Sequence, residues 1–484
     1  MTLTTFQQEH LRVAFDEHAP RLFGPMLEAS RAHVVMLAER GLVPQERAAR
    51  LLRGLNQLAG RPPEPFIYDG SVEDIYFTVE KRLAAASGLA TSELDVQLAR
   101  SRNDLDAGVF RMVLRADLLR VIDEVLRAAT AALDAADRYA DIVVTGYTHR
   151  RPAQPTTIGH VLAGYAEALA GEAIHYADVL EQVNRSPLGS CAFAGTDLDI
   201  DPPRLAELLG FDGIVLNSYE AVAGADHLVR VAAVNAQSLA TGARLARTLM
   251  DWLTWRWIVT PPEFTQGSSI MPQKRNPVVL EHMVSMAGAA AGDAATVLNN
   301  VGAAWWEDSN NATTDVQSRL WDTCDRAQRF FALLAGLLEA LEPLNPPSSE
   351  EIVRSGATTT AAADVLSRHG VPFRAAHTVV GRLVRDRAPN EWTPQDVRSA
   401  EEAVGVGGRL EDAAVEELLR AAVDPTRVVD RAQVDGPGAV AVRDQVQVLR
   451  RKFEAVSQRS SGVRDRVQTA ATRLDEAVAA RVAP

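Results

Sequence analysis

Residues 109–140 read VFRMVLRADLLRVIDEVLRAATAALDAADRYA and contain neither proline nor glycine. The apolar side chains of this segment recur every three or four positions, at Leu114, Leu118, Val121, Val125 and Ala129. This spacing puts them on one face of a helix and predicts a single helix through the segment. At 1.5 Å per residue the helix would be roughly 40 to 50 Å long, which is typical of an elongated bundle.

Four more segments show the same pattern on the C-terminal side of this helix. Each lacks interior proline and has apolar residues at helical spacing: 158–183, 226–257, 278–301 and 314–341. We therefore predict a mainly all-α fold with a central bundle of long helices. Such a bundle buries more apolar surface than one chain can cover, so we expect several copies to associate.

The segments around the bundle define the predicted domains. Near the N-terminus, Ser71 is expected to cap a helix, with Asp74 in its first turn. The run LNPPSSEE at residues 344–351 is rich in turn-forming residues and marks a boundary. We predict an N-terminal domain, a central helical domain and a C-terminal domain with a helical extension: 1–107, 108–350 and 351–484.

Composition excludes several classes of function. The chain has 484 residues, 63 acidic and 50 basic, and a net charge of −13, so a general nucleic-acid binder is not expected. The N-terminal residues are polar, and no apolar run approaches about 18 residues, so we expect no signal peptide and no membrane span. The two cysteines form neither a disulfide framework nor a metal-binding spacing. We predict a cytoplasmic protein.

Lysine is rare in this chain. Only three of the 50 basic residues are lysines: Lys81, Lys274 and Lys452. Codon bias in a GC-rich genome explains the excess of arginine. A lysine inside a motif is nevertheless informative in such a chain.

One lysine lies in the polar stretch GSSIMPQKRNP, residues 267–277. The glycine, serines and prolines end the preceding helix and predict a loop. Its hydroxyls, its amides and Lys274 suit a carboxylate whose negative charge grows during a reaction. By composition alone, the stretch also fits an ordinary connection between helices.

The stretch closely resembles the GSSxMPxKxNP signature of the aspartase/fumarase superfamily. Two further blocks, SRND at 101–104 and TGYTHRRPAQP at 145–155, resemble those of its argininosuccinate lyase branch, as does GVPFRAAH at 370–377. The resemblance implies a three-domain fold with a homotetrameric helical core. It also implies active sites that each take residues from three chains.

The resemblance further implies a reaction and its catalytic residues. Members remove a proton next to a carboxylate and then expel an amine or hydroxyl, which releases fumarate. Ser268 matches the family's base, and it needs N–H groups and a cation to stabilise its alkoxide. His149 matches the general acid, although a lone histidine is more often structural, and Glu281 matches the carboxylate that pairs with it. The residues implied to bind the substrate are Ser30, Ser101, Arg102, Asn103, Thr148, Gln154, Lys274 and Asn276.

The sequence departs from the branch at positions assigned to the leaving amine. Where the family has EDIH, this chain has Glu-Asp-Ile-Tyr, with Tyr76 in place of the histidine. Where the family has THLQ, this chain has Arg151 in place of the glutamine. The family's YxxxxQxxK element is replaced by a segment with Trp305 and Asn310, and its lysine is missing. The candidates for specificity are Tyr76, Arg151, Trp305 and Asn310, and Arg150 and the paired tryptophans are expected to line the pocket.

These observations predict a carbon–nitrogen lyase that reversibly eliminates fumarate from an N-substituted aspartate other than argininosuccinate. The alternative is a true argininosuccinate lyase with a diverged pocket. A third possibility is a catalytically silent homologue with a structural role, since fold alone does not establish activity. We expect a small dicarboxylate substrate, no cofactor and no metal site.

Overall fold

The computed structural model describes residues 3–60, 65–408, 410–430 and 435–483. Most of these residues are helical, which confirms the predicted all-α class. The helices, in chain order, are α1 (Arg12–Glu39), α2 (Gln45–Ala59), α3 (Ile75–Ser87), α4 (Arg102–Arg138), α5 (Ile158–Val183), α6 (Pro202–Leu208), α7 (Ser218–Ala223), α8 (Asp226–Thr254), α9 (Val278–Ala303), α10 (Gln317–Glu339), α11 (Ser349–Arg354), α12 (Thr359–Arg368), α13 (Phe373–Asp386), α14 (Pro394–Val404), α15 (Asp412–Val423), α16 (Pro425–Asp430) and α17 (Ala439–Val482).

Six short strands interrupt the helices and form three antiparallel pairs within the described residues. They are β1 (Val143–Thr148), β2 (Arg151–Thr157), β3 (Ile258–Val259), β4 (Gln266–Gly267), β5 (Arg275–Asn276) and β6 (Glu342–Pro343). β1 pairs with β2, β3 with β6, and β4 with β5. Two of these pairs hold predicted catalytic segments, and the sequence analysis had not predicted any strand.

The five predicted long segments form the bundle as α4, α5, α8, α9 and α10. Helix α4 packs against α5 and α10, and α8 packs against α5, α9 and α10. The five apolar residues that predicted α4 are fully buried, which confirms the predicted face. Helices α8 and α10 approach closely at Gly242, where an added Cβ would lie 2.3 Å from the ring of Phe330.

The helices described within residues 351–484 pack in two separate places. Helices α12 to α15 surround a small core of their own. Helix α17 instead packs along α4, α5 and α2, and its buried residues join the main core. Arg459 of α17 donates hydrogen bonds to Asp178 at 2.6 Å and to Glu181 at 2.8 Å on α5. The C-terminal extension is therefore a long helix bound to the bundle of its own chain.

None of the helices described combines the length and the hydropathy that crossing a membrane requires.

Candidate active site

The loop at residues 267–277 is closed by the β4–β5 pair, in which Gly267 pairs with Arg275. Ser268 begins the loop, and its backbone N–H donates to the carbonyl of Lys274 at 3.2 Å. Its side-chain oxygen accepts hydrogen bonds from the N–H groups of Ile270, at 3.3 Å, and Met271, at 3.0 Å. Two backbone dipoles thus point at the oxygen that would carry the alkoxide charge.

The other predicted groups of this loop, Lys274 and Asn276, are exposed and half-buried respectively. Lys274 is exposed, and no ion pair to it is found within the described part of the chain. Asn276 is half-buried in the β4–β5 pair, and the neighbouring Ile270 is 83% exposed. The loop therefore presents a serine, a lysine and an apolar side chain outward, where a substrate or another chain can contact them.

The TGYTHRRPAQP block forms the β1–β2 hairpin, whose turn is closed by Thr148 and Arg151. The two central residues have left-handed backbone conformations, with φ of +49° at His149 and +64° at Arg150. These angles are typical of a type I′ turn, where glycine and asparagine are preferred. Other residues with these backbone angles are strained, and such strain is concentrated at functional sites.

The hairpin tip is held by the C-terminal end of α8. Arg150 donates to Asp251 at 2.8 Å, and the ring of Tyr147 stacks on Trp255 with centroids 4.6 Å apart. Arg150 is therefore bound to a partner in its own chain, and its expected place in the amine pocket stays a prediction. His149 remains exposed at the fixed tip.

The predicted histidine–carboxylate pair is not formed within one chain. Glu281 lies in the first turn of α9 and is exposed, as is His149. Among the described residues, no hydrogen bond or ion pair joins the two side chains. Thr148, Arg151 and Gln154 are likewise exposed on the hairpin.

The SRND block caps the long helix α4. The hydroxyl oxygen of Ser101 accepts from the N–H of Asn103 at 3.2 Å, and the carboxylate of Asp104 accepts from the N–H of Ser101 at 2.9 Å. This capping box starts α4 earlier than predicted. Asp104 also accepts from the N–H groups of Gly189 and Cys191, at 3.0 and 3.1 Å, and its burial raises its pKa to about 6.

Arg102 lies between two carboxylates at the start of α4. It pairs with Asp74 and donates to Asp106 at 3.0 Å. Its guanidinium also lies 5.4 Å from the ring centroid of Tyr76, whose hydroxyl donates to Glu80 at 2.6 Å. Asp74, rather than the predicted Ser71, caps α3, because its carboxylate accepts from the first N–H groups of that helix. A substrate carboxylate would have to compete with these two partners for Arg102.

A cavity of about 360 Å³ opens beside Arg102. Residues from α1, α3, α4 and the segment after α9 line it, and among them are the predicted site residues Arg102, Asn103 and Asn310. Five carboxylates also line it: Glu73, Asp74, Asp106, Asp308 and Asp315. None of these carboxylates was among the site residues predicted from the sequence. They come from distant segments, and the usable signal was that Asp74 and Asp308 each lie two positions from a predicted specificity residue, Tyr76 and Asn310.

Two remaining predicted residues lie apart from this cavity. Ser30 is buried and accepts a hydrogen bond from Arg100 at 3.3 Å. Trp305 is 78% exposed. Among the residues that the structure describes, no group of three or more histidine, cysteine or acidic side chains is placed to hold a metal ion.

Comparison with known protein families gives two matches along the chain. The family model described as Lyase matches residues 9–292, and the model described as Argininosuccinate lyase C-terminal matches residues 356–430.

Curated relatives match over nearly the whole chain. An argininosuccinate lyase of Natronomonas pharaonis is 33% identical over 94% of this chain and 90% of the relative. One of Haloarcula marismortui is 34% identical over 95% and 92%.

Solved structures show a similar fold. An EDDS lyase variant with bound fumarate is 29% identical, with a TM-score of 0.82 over 100% of this chain and 96% of that chain. A class II fumarase from Schistosoma mansoni is 16% identical, with a TM-score of 0.66 over 83% and 90%, and so supports the fold alone.

Proposed function

We propose a reaction for this chain on the basis of its family. The chain belongs to the lyase family, in the argininosuccinate lyase branch of the aspartase/fumarase superfamily. It is a carbon–nitrogen lyase. The proposed reaction is the reversible elimination of fumarate from argininosuccinate, an N-substituted aspartate. The names of the curated relatives favour this substrate, which was the alternative in the sequence analysis. The observation that carries the reaction is the serine loop, where two N–H groups point at Ser268.

Each step of the elimination has a candidate residue. Ser268 takes the proton from the carbon next to a substrate carboxylate, and its two N–H donors stabilise the oxygen before transfer. Lys274 and Asn276 bind that carboxylate as its charge increases. The electron pair of the broken C–H bond forms the double bond of fumarate as the C–N bond breaks. His149, paired with Glu281, protonates the departing nitrogen.

The remaining residues position the substrate. Ser101 and Asn103 offer polar groups at the start of α4 for the fumarate half, and Arg102 contributes if it exchanges one of its carboxylate partners. Thr148 and Gln154 lie on the hairpin beside His149. The proposal retains Ser30 as a buried support for Arg100 and its neighbours.

The proposal includes a homotetramer in which three chains contribute to each site. The exposed positions of His149, Glu281 and Lys274 support it, because His149 and Glu281 do not pair within one chain and all three are open to contact from another chain. A symmetric assembly of long-helix bundles would bring these segments together. The proposal also places this enzyme in the cytoplasm.

A second candidate is the same elimination with another leaving amine. It is favoured by the carboxylate-lined cavity beside Arg102 and by the exposed Trp305, which lies in the segment that lacks the family's amine-binding lysine.

Fumarate release, followed at 240 nm, tests both candidates. With argininosuccinate we expect a kcat/KM above about 10⁴ M⁻¹ s⁻¹, the usual lower range for enzymes. Turnover only with another N-substituted aspartate would establish the second candidate. No fumarate from any N-substituted aspartate would overturn the proposed reaction.

A further inference from the structure

The imidazole of His149 has no support of its own in the described part of the chain. The side chain is exposed and takes part in no hydrogen bond or ion pair with the described residues. Its position is therefore set by the backbone of the turn at His149 and Arg150. Both residues have left-handed conformations, with φ of +49° and +64°, which non-glycine residues adopt at a cost in energy. The turn keeps this shape because other contacts offset that cost.

The ladder between β1 and β2 does not set the direction of the hairpin tip by itself. The register of the two strands shifts between Thr145 and Tyr147, which marks a β-bulge. A bulge bends and twists its strand, and bulges are common beside functional sites. The direction of His149 therefore depends on the contacts that the tip makes beyond the bulge.

Asp251 of α8 makes the polar contact with the tip. Arg150 donates hydrogen bonds to both of its carboxylate oxygens, one of them at 2.8 Å. Asp251 lies in the last turn of α8, where the helix dipole disfavours a negative charge, so the arginine and not the helix stabilises a carboxylate there. Arg150 stands where the family's THLQ block has leucine, and leucine has no group that could form this pair.

Trp255 makes the apolar contact with the tip. The ring of Tyr147 stacks on it with centroids 4.6 Å apart, and the guanidinium of Arg150 lies 5.9 Å from the centroid of the same ring. The ring of Trp255 in turn lies 4.7 Å from that of Trp257, which is buried in the main core. Stacked rings and cation–π pairs favour particular orientations. The tip is thus connected to a buried part of its own chain.

We propose that Asp251 and Trp255 are positioning residues for the elimination. They hold Arg150 and Tyr147, and through them they keep the turn in the conformation that presents His149 to a substrate. The inference rests on the proposed function, because it depends on His149 as the acid of that reaction. Neither positioning residue takes part in a chemical step.

The test variant is Asp251→Ala, which removes both hydrogen bonds of Arg150 and leaves α8 with a strong helix former. We expect kcat for fumarate release to fall about fivefold, because fewer molecules hold the turn in its productive conformation. The inhibition constant of succinate, which probes the binding of the fumarate half, should change less than about twofold.

The matched control is Glu339→Ala. It removes an exposed pair of the same two-bond geometry, in which Arg127 donates to Glu339 at 3.0 Å through each of two nitrogens. This pair joins α4 to α10 and does not contact the hairpin, so kcat should stay at the wild-type value. An equal loss of kcat in the control would show that any lost surface pair has this effect, which would overturn the proposal.

Combination with His149→Asn separates a positioning role from a general structural one. If Asp251 acts through His149, then adding Asp251→Ala to His149→Asn should lower kcat less than about twofold further. A further loss of about fivefold would mean that Asp251 acts independently of the histidine, and it would overturn the proposal.

Two rescue variants test the turn itself. Glycine adopts positive φ freely, so Arg150→Gly added to Asp251→Ala should return kcat to within about threefold of the wild type. Trp255→Leu should lower kcat about as much as Asp251→Ala does, whereas Trp255→Phe keeps a ring for Tyr147 to stack on and should retain the activity. No recovery in the glycine variant, or a raised KM with unchanged kcat in Asp251→Ala, would overturn the proposal and place Arg150 in the substrate pocket.

The same measurements distinguish this inference from the proposed function. If His149→Asn keeps the wild-type kcat, the proposed function loses its acid and the positioning inference fails with it. If His149→Asn lowers kcat but Asp251→Ala does not, the positioning inference alone fails.

Discussion

The cavity at the start of α4 and the serine loop at residues 267–277 are organised in different ways. At the cavity, side chains from distant segments contact one another within one chain, as Arg102 does with Asp74 and Asp106. At the loop, Ser268 is organised by its own backbone, while Lys274 is exposed and unpaired among the described residues. One chain thus builds the cavity from its own side chains, whereas the proposed catalytic groups of the loop and hairpin are left exposed.

The largest expected effect is at the serine loop. Ser268→Ala removes the proposed base, and we expect kcat for fumarate release to fall about 10³-fold with little change in KM. The control is Ser269→Ala, since Ser269 is exposed and adjacent to Ser268 in the same loop. Wild-type rates in Ser268→Ala would show that the loop does not supply the base.

A smaller effect is expected at the hairpin tip. His149→Asn removes the proposed acid but suits the left-handed backbone at φ +49°, because asparagine tolerates this conformation. We expect kcat to fall about 10²-fold, and the thermal unfolding temperature to stay within about 2 °C. A variant that unfolds early would instead indicate that His149 stabilises the turn.

The smallest effect concerns the cavity and its pH dependence. Burial raises the folded pKa of Asp106 to about 6, above its ordinary value, so its contribution to stability is present below pH 4 and is lost as the pH rises through 6. Arg102 opposes this shift, and Asp74 and Asp308 reinforce it. The free energy of unfolding of the wild type should decrease from about pH 5 to about pH 7.5 as Asp106 ionises. In Asp106→Asn this decrease should be smaller by about 1 kcal/mol.

Urea unfolding at the two pH values measures this difference. An identical pH dependence in the two proteins would show that Asp106 keeps an ordinary pKa in the cavity.

The bundle was readable from the sequence because helical spacing is a local signal. Helix α5 begins and ends at the predicted residues, 158 and 183, and the predicted face of α4 is buried. Helix α4 begins earlier than its apolar pattern, because the capping box of Ser101 and Asp104 adds a polar first turn. The motif at residues 267–277 led to the superfamily, and the blocks at 101–104, 145–155 and 370–377 led to its branch; the family models and relatives confirm both.

The hairpin and the cavity were not readable in this way. The turn at His149 and Arg150 lacks the glycine or asparagine that usually marks such a turn, and Pro152 and Pro155 made β2 unlike a strand. The cavity depends on carboxylates from separate segments that meet only after folding. Asp106 and Asp308, for example, are about 200 positions apart in the sequence, so no local pattern links them.

The central claim is that the catalytic groups of one site come from different chains. The direct test mixes Ser268→Ala and His149→Asn proteins in equal amounts, after reversible unfolding to exchange chains, and measures fumarate release. If each site takes the two residues from different chains, about a quarter of the sites regain both, and about a quarter of wild-type activity should return. If one chain supplies both residues, no site regains the pair, and activity no higher than that of the separate variants would contradict the claim.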